Sequence, residues 1–121
     1  MKTFVTLPGS ENDGVTVDRR GNIYVSEFGQ FAGGNGNGTI VYKVSRNGKI
    51  SEFATDLSGP LGSAFDYRGN FYVIDNNNGG GQGDVLKITP DGTKTLFATI
   101  EGFPAGLAFD YRGNFCLLYT S

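Results

Sequence analysis

Carboxylates and side-chain amides are the groups in this chain best suited to chemistry, and they fall in two kinds of place. Asp18, Asp66 and Asp110 each stand before a tight Asp-x-x-Gly reversal. A second set gathers in the longer segments between apolar runs: Glu11, Asn12, Asp13, Glu27, Asp75, Asn76, Asn77, Asn78 and Glu101. Oxygen donors of this kind suit a hard divalent cation such as calcium, which wants several carboxylate, amide and carbonyl oxygens converging on one point. A carboxylate taken out of water can also work as a general base. The 121 residues include no histidine, which removes Ser-His-Asp, Cys-His and His-metal mechanisms within one chain. The single Cys116 has no adjacent basic residue to lower its thiol pKa, so neither a thiol nucleophile nor an internal disulfide is expected.

The elements that must position these groups repeat. The heptapeptide FDYRGNF occurs at Phe65–Phe71 and again at Phe109–Phe115. Three longer segments align on it: GVTVDRRGNIYVSE from Gly14, GSAFDYRGNFYVID from Gly62 and GLAFDYRGNFCLLY from Gly106. Between them lie GTIVYKVSRNGKISEFAT from Gly38 and GDVLKITPDGTKTLFATI from Gly83. Each unit thus contains four short β-branched and aromatic runs with period-two alternation, and no segment shows helical periodicity. Asn47-Gly48 and Asp91-Gly92 are hairpin signals between the third and fourth runs. The aspartates recur at positions 18, 66 and 110, spacings of 48 and 44 residues. Four antiparallel strands per unit of that length is the pattern of a β-propeller blade.

Strands are expected at about 14–18, 22–28, 38–45 and 49–55 in a first blade spanning 14–55. They are expected at about 62–66, 70–75, 83–90 and 93–100 in a second spanning 62–100, and at 106–110 and 114–120 in a half blade at 106–121. Thr3–Leu7 resembles the fourth strands and is expected to be the outer strand of a preceding blade. In this arrangement the loops before first strands and after second strands emerge on one face, where propellers bind ligands. Asp13, Glu27, Asp75, Asn76 and Glu101 belong to that face, and the tight turns belong to the other. The loops GQFAGGNGNG and NNNGGGQG lack the lysine and following helix of a phosphate loop and are expected to be flexible. Lys43, Lys87 and the arginines read as singly solvated, and Tyr67 and Tyr111 as packing residues.

The pattern G-x-x-x-D-x-x-G-N-x-Y-V, with Gly-Pro ahead of it in GPLGSAFD, resembles the NHL-repeat and SMP-30/gluconolactonase-like six-bladed propellers. The likeness covers nearly the whole chain, from Phe4 to Phe115. It implies a fold shared by lactonases, lyases, esterases and plain binding scaffolds. The gluconolactonase-like group is similar in holding a divalent metal, often through an asparagine just before the first strand. The corresponding stretches here read Asn12-Asp13-Gly14, Pro60-Leu61-Gly62 and Pro104-Ala105-Gly106, so only Asp13 keeps an oxygen ligand there. The resemblance therefore offers Asp13 as a ligand for calcium or zinc, with a turn-capping role as the alternative. It likewise offers Glu27 and Asp75 as ligand or base in lactone opening, against a plain role as acceptors of backbone hydrogen bonds.

Ten basic against twelve acidic residues give a net charge of −2, which points to neither nucleic acid nor an anionic membrane as partner. The opening MKTFVTLPGSEN has no apolar run of a secretion signal, no stretch approaches membrane-spanning length, and a soluble domain is expected. About two and a half blades cannot close a ring of roughly four to eight. CLLYTS resembles translated adaptor sequence, so a truncated reading frame with a non-native tail at Cys116–Ser121 is expected; a divergent last strand is the other reading. A head-to-tail homodimer could close a six-bladed ring, and a native mass of 12.9 kDa would rule it out. The expected function is a binding or structural scaffold for a small molecule or protein, the alternative a metal-dependent lactonase.

Overall fold

The computed structural model describes residue 7 and residues 12–29, 31–32, 35–36, 38–76, 82–101, 104–110 and 112–119. Among these there is no helix. The first four-stranded antiparallel sheet has the order β1 (Asn12–Val17), β2 (Ile23–Glu27), β5 (Val41–Val44), β6 (Ile50–Ala54). The second repeats it with β7 (Pro60–Phe65), β8 (Phe71–Asp75), β9 (Gln82–Ile88) and β10 (Lys94–Glu101). A third sheet holds only β11 (Pro104–Phe109) and β12 (Phe115–Tyr119). The expectation of all-β propeller blades is met, and two four-stranded sheets and a two-stranded one follow each other along the chain. The strand expected at Thr3–Leu7 lies, but for Leu7, outside the described residues.

Two departures have physical causes. First strands start at Asn12, Pro60 and Pro104, two residues before the glycines at 14, 62 and 106. In all three pairs the register shifts in that stretch, between Asp13 and Val15, Pro60 and Ser63, and Pro104 and Gly106. A bulge lets pairing continue past the glycine, and a proline is tolerated as the first residue of an edge strand. The loop GQFAGGNGNG, expected to be flexible, carries a two-residue ladder between β3 (Phe31–Ala32) and β4 (Asn35–Gly36). So short a ladder has no period to be read from sequence.

The sheets approach through their first strands and bury their core on side chains of the second and third. Tyr24, Val41 and Leu57 bury against Phe71, Val73 and Ile88, while Tyr72, Ile74 and Val85 bury against Leu107 with Phe109 and Phe115 alongside. Alternation along β8 thus sends Phe71 and Val73 to the first sheet and Tyr72 and Ile74 to the third. That is why all five of its residues are buried although a strand with one wet face would alternate. Each junction holds the same four rings. Tyr24 meets Phe53 and Phe65 edge-on at 4.9 and 5.0 Å, and Phe71 closes the group at 5.1 Å from Phe53 and from Phe65. Tyr72, Phe97, Phe109 and Phe115 repeat the cluster, with centroids 4.8–5.6 Å apart. Edge-to-face pairs of this kind each add about 0.5–1.5 kcal/mol beyond simple burial. Nearer the axis, the Thr16 hydroxyl donates to the Ser63 carbonyl at 2.8 Å and joins the first strands of neighbouring blades.

Candidate functional site

The sequence-derived site residues do lie at one end of the sheets, but they do different things there. Asp75 ends β8 with 6 % of its surface exposed, and both carboxylate oxygens accept from the Ser58 amide, at 3.1 and 3.2 Å. Its neighbour Asn76 donates its backbone N–H to the Gly59 carbonyl at 3.2 Å. These two residues therefore hold the linker that crosses from the first sheet to the second. Glu27 ends β2 opposite Asn12, half-buried, and its amide donates to the Ile40 carbonyl at 2.9 Å. Glu101 is exposed at the end of β10, opposite Gln82. Asp13 stands opposite Ser26 on β1, and its side chain lies outside the described part, as do Glu11, Asn77 and Asn78.

At the same end the backbone at Gly14 and, more tightly, at Gly38 admits no side chain. A Cβ on Gly38 would lie 1.8 Å from the Glu27 carbonyl oxygen, while Gly38 donates to Phe28 and accepts from Gly59. Glycine is required here by close approach rather than by turn geometry.

Of the places the family resemblance implies for a divalent cation, the one at Asp13 has its side chain outside the described residues. Pro60 and Leu61 fill the second blade's place for a ligand with apolar side chains, and the Asp75 carboxylate is turned onto Ser58. Among the described residues no three acidic, cysteine or histidine side chains come together.

The opposite end is built three times over. Asp18 Oδ1 accepts from the amides of Arg20 and Asn22, both at 2.9 Å, and Oδ2 from Asn22 Nδ2 and the Tyr24 hydroxyl, both at 2.9 Å. Asp66 repeats every bond with Arg68, Asn70 and Tyr72 at 2.9–3.0 Å. Asp110 repeats those to Arg112 and Asn114 at 2.8–2.9 Å, but Cys116 stands where the tyrosine would be and turns its Sγ toward the Asn114 carbonyl. The turn glycines Gly21, Gly69 and Gly113 have φ of 86°, 86° and 84°, which an L side chain rarely adopts. Burial pushes the Asp18 and Asp66 carboxyls up, yet the combined hydrogen bonds hold both below the usual aspartate value. Burial, then the bond to Asp66 and its charge, push the Tyr72 phenol up to about 12; Tyr24 is raised in the same way.

Two features of this end escaped sequence reasoning. The arginines and lysines are not scattered: every one among the described residues lies within two residues of the turns at 18–22, 45–49, 66–70, 89–93 and 110–114. The linker end carries Glu27, Asp56, Asp75, Asp84 and Glu101; no described basic residue lies there in the chain, and Lys94, at the start of β10, reaches the Thr55 carbonyl beside Asp56 at 3.2 Å. Net charge conceals this division, and the placement of each charge relative to the turns could have revealed it. Between the sheets at the turn end run two grooves of about 740 and 700 Å3. Tyr67, expected to pack, is 68 % exposed between them with the Arg68 guanidinium 5.4 Å from its ring.

With this geometry the chain has the fold of β-propeller blades, and known structures share it. It is similar to virginiamycin B lyase from Staphylococcus aureus, with TM-score 0.67 and 20 % identity over 94 % of this chain and 37 % of that one. A streptogramin B lyase structure superposes with TM-score 0.57 at 16 % identity, covering 93 % of this chain and 49 % of the other. A luciferin-regenerating enzyme gives TM-score 0.53 at 15 % identity, over 84 % and 34 %. The chain spans between a third and a half of the length of these proteins. No family model and no curated protein sequence matches it. At such identities the likeness establishes the fold alone.

Proposed function

We propose that this chain is part of a non-catalytic propeller scaffold of the NHL or SMP-30/gluconolactonase type, whose linker end takes a positively charged partner. The observation that carries the reading is the charge division: Glu27, Asp75, Asp84 and Glu101 at the linker end, where the only described basic side chain to reach is Lys94, on the Thr55 carbonyl beside Asp56. Like-signed charge over one face selects the sign of its partner and speeds encounter. The engagement of Asp75 by Ser58 supports a binding role over the metal-dependent lactonase alternative, because it ties the best-buried acid to chain positioning.

A fluorescent octalysine peptide, followed by anisotropy, tests this. Binding is expected to weaken severalfold in the Glu27→Gln/Glu101→Gln variant and at raised salt, and to be unchanged in Glu52→Gln, in the middle of β6. Equal loss in Glu52→Gln, or no binding at millimolar peptide, would overturn the reading. Calcium- or zinc-dependent hydrolysis of glucono-1,5-lactone, lost in Asp13→Ala, would establish the lactonase instead.

A further inference from the structure

Each junction between sheets opens at the turn end into a groove, and the two grooves are made from equivalent positions. Tyr24, Phe53 and Phe65 line the first, and Tyr72, Phe97 and Phe109 the second. Lys43 pairs across the strands with Tyr24, Lys87 pairs with Tyr72, and each lysine lines its own groove. Lys43 Nζ sits 5.9 Å from the Tyr24 ring centre. Arg68 borders both grooves. Phe97 is 46 % exposed and Phe53, Phe65 and Phe109 are half-buried, whereas Tyr24 and Tyr72 lie buried behind them.

Basic groups outnumber carboxylates in each groove: Arg19, Arg20, Lys43 and Arg68 against Asp18, Asp66 and Asp110 in the first, Arg68, Lys87 and Arg112 against Asp66 and Asp110 in the second. The carboxylates that line the grooves, Asp18, Asp66 and Asp110, accept hydrogen bonds on both oxygens within their own turns. Lys43 lies over the Tyr24 ring and Arg68 over the Tyr67 ring. Aromatic rings beside an excess of ammonium and guanidinium groups complement a ligand with a ring body and an anionic head. Volumes of about 700 and 740 Å3 lie in the range of small-molecule sites.

We infer that the two grooves are equivalent binding sites for small aromatic anions, each with its lysine holding the anionic head and its tyrosine–phenylalanine cluster holding the ring. The sites lie at the opposite end from the face assigned to a cationic partner, and their chemistry is opposite to it.

Calorimetric titration of the full chain with 2-naphthalenesulfonate tests this, with neutral 2-naphthalenemethanol as the isostere. Two sites per chain are expected for the sulfonate, with binding of the alcohol at least tenfold weaker. Lys43→Gln and Lys87→Gln should each remove one site, and the double variant both. Lys43→Arg/Lys87→Arg keeps the charge and should keep both sites, which separates loss of charge from loss of fold. Equal affinity for alcohol and sulfonate, undiminished stoichiometry in the folded double glutamine variant, or loss of binding in the double arginine variant overturns the inference. So does absence of binding at millimolar sulfonate.

Discussion

The second and third copies of the aspartate turn begin with the same seven residues, yet they finish differently. At Asp66 the carboxylate gathers two backbone amides, an asparagine amide and the Tyr72 hydroxyl, and Tyr72 is itself buried in the aromatic cluster between sheets. At Asp110 the first three bonds are kept at nearly the same lengths and the fourth is missing, because position 116 is cysteine. The difference teaches that the Asp-x-x-Gly-Asn turn closes by itself. What the tyrosine adds is a tie between the turn and the packed junction. The Asp66 carboxyl thus serves local geometry and inter-sheet packing together, whereas Asp110 serves only the first.

Removing the shared carboxylate should break the comparison most visibly. Asp66→Ala strips four bonds and leaves a buried phenol without its partner, an expected loss of about 2–3 kcal/mol in urea unfolding. Asp110→Ala, at an exposed turn with no tyrosine, should cost clearly less; equal losses would show that the tyrosine tie carries nothing. The pH dependence comes next. Asp18 and Asp66 are held below the ordinary carboxyl value, so the stability they supply is complete above about pH 4 and declines as pH falls below it. Tyr72 is raised, so its share is complete below about pH 10 and declines as pH climbs through about 12. Unfolding midpoints across pH 2–12 should show both limbs, and Asp66→Asn should flatten the acid one. The smallest pair of effects sharpens the comparison from each side. Tyr72→Phe keeps the ring and removes only the hydroxyl bond, for about 1 kcal/mol. Cys116→Tyr should restore the missing bond with a gain smaller than that loss, read as a raised thermal midpoint.

How far the residues alone disclosed this molecule follows from where the information sits. Strand order and the turns were legible because the period of two, the Asp-x-x-Gly reversals and the repeat are local patterns. The six-residue step from Asp18 to Tyr24, repeated from Asp66 to Tyr72, was visible too, but sequence does not say that the hydroxyl turns back to the carboxylate. The grooves were not legible. Tyr24, Phe53, Phe65 and Phe71 come from four strands in two sheets, and only packing brings their rings together. At the linker end the acids were found by type and place. The partner of Asp75, a backbone amide 17 residues earlier, has no side-chain signature.

The burial of β8 on both faces has a consequence for how the molecule comes apart. Phe71 and Val73 belong to one interface and Tyr72 and Ile74 to the other, so the strand is the link through which neighbouring blades sense each other. In a linear array, stability is carried by nearest-neighbour terms of this kind. Rupture of either interface dismantles half the surroundings of a single five-residue strand. The two junctions are therefore coupled in one cooperative melting unit rather than fraying independently from the ends.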